Sequence, residues 1–554
     1  MLLRGLLSYN PKKFSTRGRS ILFTNPMPVH KVWRSGTEYT GTITAPTGYT
    51  VSTWQIINKK TRSVVTSGSG TTVTATLSFG GTAVCNVHDL RVVITNGIKT
   101  FERIFHGEIT VYPPLFTEAT ADLVINLNTE STNRDFNWAT DRSGYKVWVK
   151  GTKTGRWNPY YLRALTATNP AHIIFEDAVI NSSTFGFTPG PFQNVVIDGC
   201  RSESVPYGLI INKSTGNDQG LFFTGADGVN GSDNILIGGI EVAGAGSLVI
   251  GNGAAGMQFI TSDSVNFNFT NYSFDNLYAH NLYSHDISGE GYYIGHFTDF
   301  DDDADGRFFA PFDGGMFFRC KSLNTGNDGF QMGQCYNTEV FHLDLRNCGT
   351  RNDASHRNGI QWSHGNRFCS CFCNYIETAG NIFSGFTGRY GKDNEFFSNV
   401  FVTSGRPSGG VNIFVRMDNN EEVSMYWGFF NNTIVASTGL PWSLYNATNG
   451  WSTVFNPMIL ADNFIATDTA TQTEYVNGFV STNVTLNNLQ TTNINSIGLI
   501  DAASKNYKPS SLASSLYRTR TSFTKVHPLA NYDYEGVKFD TDIVGAYSGY
   551  ELSL

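Results

Sequence analysis

Residues 291–295 read GYYIG, 329–333 read GFQMG and 359–363 read GIQWS, three stretches that align as Gly-x-x-apolar-(Gly or Ser). Each is too short for a helix and is bounded by turn residues, so each is one short strand. Around them an apolar strand core recurs near Phe317, Phe341, Phe368, Phe396, Phe429 and Phe464, at spacings of 24, 27, 28, 33 and 35 residues. A repeat of that length with no intervening helix means coils stacked on one another, each adding one rung to a continuous wall. Strand side chains alternate, so the aligned apolar positions stack inward and those between them face solvent. Asn276, Asn366, Asn394, Asn432 and Asn463 fall at the rung corners. Asparagine suits left-handed turns there, and a file of them can form an internal amide ladder.

The same rhythm extends upstream through YKVWVK (145–150), AHIIFE (171–176), NVVIDG (194–199) and NILIGGIEV (234–242). Before it, Thr40–Thr44, Ser52–Asn58, Thr72–Leu77, Leu90–Thr95 and Glu108–Tyr112 alternate between Gly, Asn and Ser turns, a small sandwich of immunoglobulin type that ends at Pro113 and Pro114. The first 30 residues are polar and basic and read as an extended arm. The expected division is therefore an arm at 1–30, the sandwich at 31–113, a parallel β-helix at 114–505 and a closing segment at 506–554. The 554 residues include 57 Gly and 17 Pro and are 14% aromatic and 15% charged, which is the composition of an all-β chain of short strands and tight turns.

A net charge of -7 with scattered Lys and Arg leaves no basic stripe for a phosphate backbone, so nucleic acid is not an expected partner. No apolar run reaches the length of a membrane-spanning helix. Residues 1–20 have too short an apolar block and no small-residue cleavage site for a secretory signal, so synthesis in the cytoplasm is expected. The eight cysteines include Cys320, Cys335 and Cys348 in neighbouring repeats and Cys369, Cys371 and Cys373 close together, without the CxxC pairs of a zinc site. Buried free thiols are expected.

Near the C-terminus, Asp533 to Tyr547 reads DYEGVKFDTDIVGAY. With the coils from about residue 145 onward, this stretch resembles the right-handed parallel β-helix superfamily of pectate lyase-like proteins and phage tailspikes, many of which close on D-x-x-G … D-I-G-A-Y. The extra Val544, and Lys538 where those members usually carry Pro-Arg, are departures. The resemblance implies a right-handed coil and an affinity for polysaccharide. It does not select a chemistry, because the superfamily includes lyases, hydrolases, epimerases and non-catalytic binders.

Glycoside hydrolysis needs two carboxyl groups. Glu290, Asp328 and Asn358 each precede an aligned glycine, so in register the two carboxylates sit one rung apart, about 4.8 Å, near the separation of retaining glycosidases. Glu290 is the expected acid and Asp328 the nucleophile or base, although a turn entering a strand also favours Asp and Glu. A lyase would instead draw its base from the loop of catalytic candidates Asp353 and His356, with His356 as that base and Arg357 or Arg351 neutralising a uronate. Asp301, Asp303 and Asp305 followed by Gly306 match the first half of a calcium loop, for a structural ion. Position 12 of that loop is Phe312, with Asp313 and Asp299 nearby. Tyr292 and Trp362, with Phe308, Phe309, Tyr390, Tyr426 and Trp427, are the aromatics a sugar would stack on if they line one groove.

Three functions fit. The first is a virion spike or tail-fibre protein, made in a host cytoplasm and released by lysis. It would join other virion proteins through its arm, assemble as a homotrimer, and bind or depolymerise a bacterial surface polysaccharide. The second is a secreted polysaccharide lyase or hydrolase. The third is a non-catalytic adhesive β-helix.

Overall fold

The computed structural model describes Ile21–Phe23, residues 31–509 and the positions 527, 529 and 538. Outside the description within 31–509 are 46, 201–206, 215–217, 226–230, 245–253, 262, 265–272, 297–307, 310, 352–356, 364, 387–392, 404–410, 418–426, 436–439, 447–457, 467–472, 477–484, 487, 498 and 502–505.

The leading unit is a two-sheet sandwich. One sheet orders Val32–Arg34, Thr100–Tyr112, Val87–Thr95, Thr50–Asn58 and Val64–Gly68 side by side, and the other holds Ile21–Phe23, Glu38–Ile43 and Thr72–Thr76. All pairs are antiparallel except Val32–Arg34 with Thr110–Tyr112, the strand arrangement of the immunoglobulin type. Period-two alternation produces its core. In Thr72–Thr76 only Val73 and Ala75 turn inward, where they meet Trp33, Trp54, Ile56 and Leu90.

The rest is a right-handed parallel β-helix with three strands per coil. Its first sheet runs from Leu123–Asn126 to Thr485–Leu486, and its second lies one bend further along each coil and ends at Leu489–Thr491. The third sheet stacks nine strands from Leu221–Thr224 to Thr473–Val476. The bend between first and second sheets is one left-handed residue, seen at Asn281, Arg319, His342, Cys373, Ser398, Asn431 and Asp462 with φ between +50° and +56°.

From Asn374 onward the next residue is asparagine, and the amide ladder forms there. Asn374 donates to Asn399 (3.0 Å), Asn399 to Asn432 (2.9 Å), Asn432 to Asn463 (3.0 Å) and Asn463 to Asn488 (2.9 Å). Each rung also caps backbone: Asn432 Oδ1 accepts from Asn399 N (3.0 Å) and its amide donates to Phe396 O (3.0 Å). Two of the five corner asparagines are in this file. Asn366 and Asn394 form a second pair, where Asn394 donates to Asn366 O (2.9 Å), and Asn276 ends a third ladder through Asn234 and Asn194.

The register of the three glycine stretches is as the alignment demands, because Tyr292 pairs with Phe330 and Phe330 with Ile360. Their glycines permit close approach to the second sheet. A Cβ on Gly291 would lie 2.1 Å from Ser322 Oγ, on Gly329 2.7 Å from Cys348 Sγ, and on Gly359 2.3 Å from Ile376 Cγ2.

The phenylalanine repeat needs correction. Phe317, Val340, Cys371, Phe396, Phe429 and Leu460 form the interior file, and Phe318, Phe341, Phe372, Phe397, Phe430 and Ala461 the adjacent exterior file. Phe341 is therefore outside the coil, Phe368 is 52% exposed at a corner, and Phe464 belongs to the second sheet. Spacing alone does not tell which of two adjacent apolar residues faces in. The interior file joins a core that also takes up Cys320, Cys335, Cys348, Cys369 and Cys371, and all eight cysteines are buried free thiols.

The exterior file faces protein, not solvent. Phe318, Phe341, Phe372 and Phe397 stack with centroid separations of 5.0, 5.1 and 4.8 Å, and the sandwich packs on them through Val32, Val87, Ile104 and Tyr112. Gly107 makes the fit possible, since a Cβ there would lie 2.8 Å from the Phe341 ring. Buried charge pins the contact. Lys59 sits 4.2 Å over the Phe341 ring, 3.4 Å from Asp89 and 3.6 Å from Glu339, Arg62 Nη1 donates to Asp89 at 2.9 Å, and Arg34 pairs with Asp198 at 2.5 Å. The C-terminal segment joins in, with His527 N donating to Glu395 (2.8 Å) and Lys538 N to Glu102 O (2.8 Å). Among the described residues no helix is long and apolar enough to cross a membrane.

Candidate functional site

Glu290 and Asp328 occupy the turn that carries each coil from the second sheet into the third. Backbone bonds hold them on adjacent rungs: Gly291 N donates to Asp328 O (2.8 Å) and Gly329 N to Asn358 O (3.1 Å). Both are almost closed to solvent, Glu290 at 7% and Asp328 at 0%. Asp328 Oδ1 accepts from Asn358 N (2.7 Å) and Nδ2 (2.8 Å), and those two donors orient the carboxylate. Glu290 Oε1 accepts from the Asn327 amide (3.0 Å), whose oxygen in turn accepts from Arg351 Nη1 (3.2 Å). Polar contacts run on from Asn358 to Gln361 (3.2 Å) and from Asn381 to Asn358 (2.8 Å).

Tyr292 and Trp362 are not on the exposed wall. Both are 0% exposed and lie in the coil interior, because they take the inward phase of their strands, and Trp427 is equally buried. The outward phase of the third sheet instead carries Gln258, Tyr293, Gln331 and Gln361, one per rung. This file was not read from the sequence, although Gly-x-Gln-x in two of the three aligned stretches marks it. Gln258 Oε1 and Gln331 Oε1 have no protein hydrogen-bond partner, although their residues are only 9% and 2% exposed. A buried acceptor in that state calls for a water or a ligand donor.

Where the coil leaves the third sheet toward the first, Asp233, Asp275 and Asp313 stand in register on three successive rungs. Burial, reinforced by the like charges of Asp233 and Asp313, raises the Asp275 carboxyl to about 6. Like-charged carboxyls arranged in this way separate into a proton donor and an ionised partner.

A third cluster lies on the outside of the second sheet. His285 Nδ1 contacts Asp286 Oδ2 (2.8 Å) and its Nε2 contacts Glu241 Oε1 (3.1 Å). Burial opposes the imidazolium, but these two carboxylates outweigh it and raise its pKa to about 9. Its ring stacks on Tyr283 (4.5 Å), which stacks on Tyr207 (5.9 Å).

Asp353, His356 and the calcium-loop aspartates Asp301, Asp303 and Asp305 lie outside the described residues, as do Asp299, Tyr390 and Tyr426. Phe312 and Asp313 lie within them. Phe312 is core and Asp313 accepts from Asn337 (2.8 Å). Arg357 is half-buried, and its carbonyl accepts from Asn381 N (2.8 Å). Among the described residues no group of three or more His, Cys, Asp or Glu is arranged to hold a metal ion.

No model of a known protein family matches the chain. No curated protein matches it at the level of sequence. Among solved structures it is similar to the family 28 exopolygalacturonase of Yersinia enterocolitica, at 8% identity and a TM-score of 0.28, over 85% of this chain and 98% of that one.

Proposed function

We propose that the protein is a virion spike that binds a bacterial surface polysaccharide along the outer face of the third sheet and hydrolyses it there. One observation carries the reading. The polar file Gln258, Tyr293, Gln331 and Gln361, with two orphaned amide acceptors, runs along the coil between two sets of carboxylates. Glu290 and Asp328 border it on one side, and Asp233, Asp275 and Asp313 on the other. Amide acceptors suit sugar hydroxyls, an aromatic ring suits a sugar face, and paired carboxyls supply acid and base to a glycosidic bond. In this reading Glu290 is the acid and Asp328 the nucleophile or base. The virion assignment draws on the basic arm, which would join other virion proteins, and on a sandwich clamped to the coil so that an anchored arm would orient the wall. The assembly would be a homotrimer.

The test is incubation of the purified protein with a panel of bacterial surface polysaccharides, following new reducing ends and unsaturated-uronate absorbance. Reducing ends without absorbance are expected, with a loss of about 10²-fold or more in Glu290→Gln and Asp328→Asn. Unchanged cleavage in both variants would remove them from the chemistry, and failure to bind or cleave any glycan would overturn the function. Light scattering should report three times the chain mass.

A further inference from the structure

We propose that the outer face of the second sheet is a docking track for an uncharged stretch of polysaccharide, an inference that rests on the glycan reading above. Of the three outer faces, the first is roofed by the sandwich and the third carries the site proposed above. The second is open. One of its rows passes through Val179, Ile210, Glu241, Tyr283, Lys321, Asp344 and Tyr375 in register. At about 4.8 Å per rung that row extends for about 30 Å. Val179, Ile210, Glu241, Lys321 and Asp344 are half-buried, Tyr283 and Tyr375 are buried at 7% and 2%, and Asn212 in the next row is exposed.

The chemistry along this face alternates between apolar and hydrogen-bonding. Tyr207, Tyr283 and His285 form a tower of near-parallel rings, with interplanar angles of 28° and 21°. Val179 and Ile210 continue the apolar surface toward the N-terminal coils. Glu241, Asp286 and Asn212 place acceptors beside it, so a sugar could lay its C–H face on the apolar file while its hydroxyls reach carboxylate and amide oxygens. The charges select the ligand class. His285 is held between Glu241 and Asp286, Arg346 Nε contacts Asp344 at 2.6 Å, and Lys321 stands beside Asp344 on the neighbouring rung. A polyanionic chain would meet no uncompensated cation along these positions and would face the carboxylates directly. An uncharged chain pays no such penalty.

The experiment is calorimetric titration of the full-length protein with uncharged bacterial O-polysaccharides, using polygalacturonate as the anionic control. Tyr207→Ala and Asn212→Arg are compared with Gln331→Ala on the third sheet, after circular dichroism has shown that each folds. The track predicts preference for the uncharged chains and a loss of about tenfold in both second-sheet variants, with Asn212→Arg gaining affinity for polygalacturonate. If only Gln331→Ala weakens binding, the track is wrong while the glycan reading stands. If the wild-type protein binds none of the glycans, both fall. If Asn212→Arg instead lowers the assembly mass and leaves binding intact, the face is a contact between copies of this chain and the proposal is overturned.

Discussion

The outer faces of the first and second sheets are built from the same coils by the same backbone, yet one is a buried protein interface and the other carries charged, half-buried side chains around buried tyrosines. On the first, the outward file is His280, Phe318, Phe341, Phe372 and Phe397, stacked ring on ring and roofed by the sandwich. On the second, the outward file is Glu241, Tyr283, Lys321 and Asp344, each charge answered by a neighbour. Stacking identical residues one rung apart favours aromatic rings and amides, which attract their own kind, and disfavours like charges. Aromatic files therefore make good interfaces between rigid bodies, while solvent-facing files must alternate in sign. The carboxylate column Asp233, Asp275 and Asp313 and the adjacent-rung pair Glu290 and Asp328 break that rule, as functional sites tend to do.

The largest effect expected from breaking the contrast is at the roofed face. Asp89 is 1% exposed and accepts from Arg62 (2.9 Å) and Gly107 N (2.7 Å) beside Lys59. Asp89→Ala takes the nearer carboxylate from buried Lys59 and half-buried Arg62, leaves Glu339 as their shared partner, and should cost about 3 kcal/mol in urea unfolding. Asn432→Ala is next. It leaves Asn399 N–H and Phe396 C=O unsatisfied inside the coil, for about 2 kcal/mol or more. Asp344→Asn on the open face should change stability by less than about 1 kcal/mol, because the Arg346 pair it breaks is partly exposed.

The two faces should also answer pH in opposite directions. Burial lowers His88 and His106 in the sandwich to about 4, against about 6.5 for an unfolded histidine. Their contribution is complete above that value and is lost as pH falls toward 4. Glu339 acts in the same sense. Burial opposes its charge, but Lys59, His527 and Arg62 hold it down at about 2, so its stabilisation fades as pH falls below the ordinary carboxylate range. His285 runs the other way, with its contribution complete below about 6.5 and lost as pH rises through 9. Thermal melts across this range should show both limbs, with only the alkaline one flattened in His285→Gln. Equal flattening of both would mean the faces are not independent.

Much of the fold was legible because a solenoid writes its period into the chain. The glycine stretches gave the true register of the third sheet, since no Cβ fits where that sheet meets the second. Phase was not legible at Phe317-Phe318 or Phe396-Phe397, where two adjacent aromatics serve opposite faces, nor at Tyr292 and Trp362, whose inward phase hides rings expected outside. The sandwich was readable from alternation, but its docking was not. That depends on Lys59 and Asp89 meeting Glu339, some 250 residues away in a chain whose buried charges look like surface ones. The adjacent-rung placement of Glu290 and Asp328 was legible from their place before the glycines. The Asp233 column, and the meeting of Glu241 with His285 and Asp286, were not legible because the rungs they join are about 40 residues apart and share no local motif.

Hydrogen exchange on the protein with and without a polysaccharide it binds tests the central claim most directly. Protection confined to the third-sheet strands Met257–Ile260, Tyr292–Gly295, Phe330–Gly333 and Asn358–Trp362 and to residues 282–287 of the second sheet, with the sandwich unchanged, is the predicted result. Protection centred on the sandwich, with these strands unaffected, would contradict it.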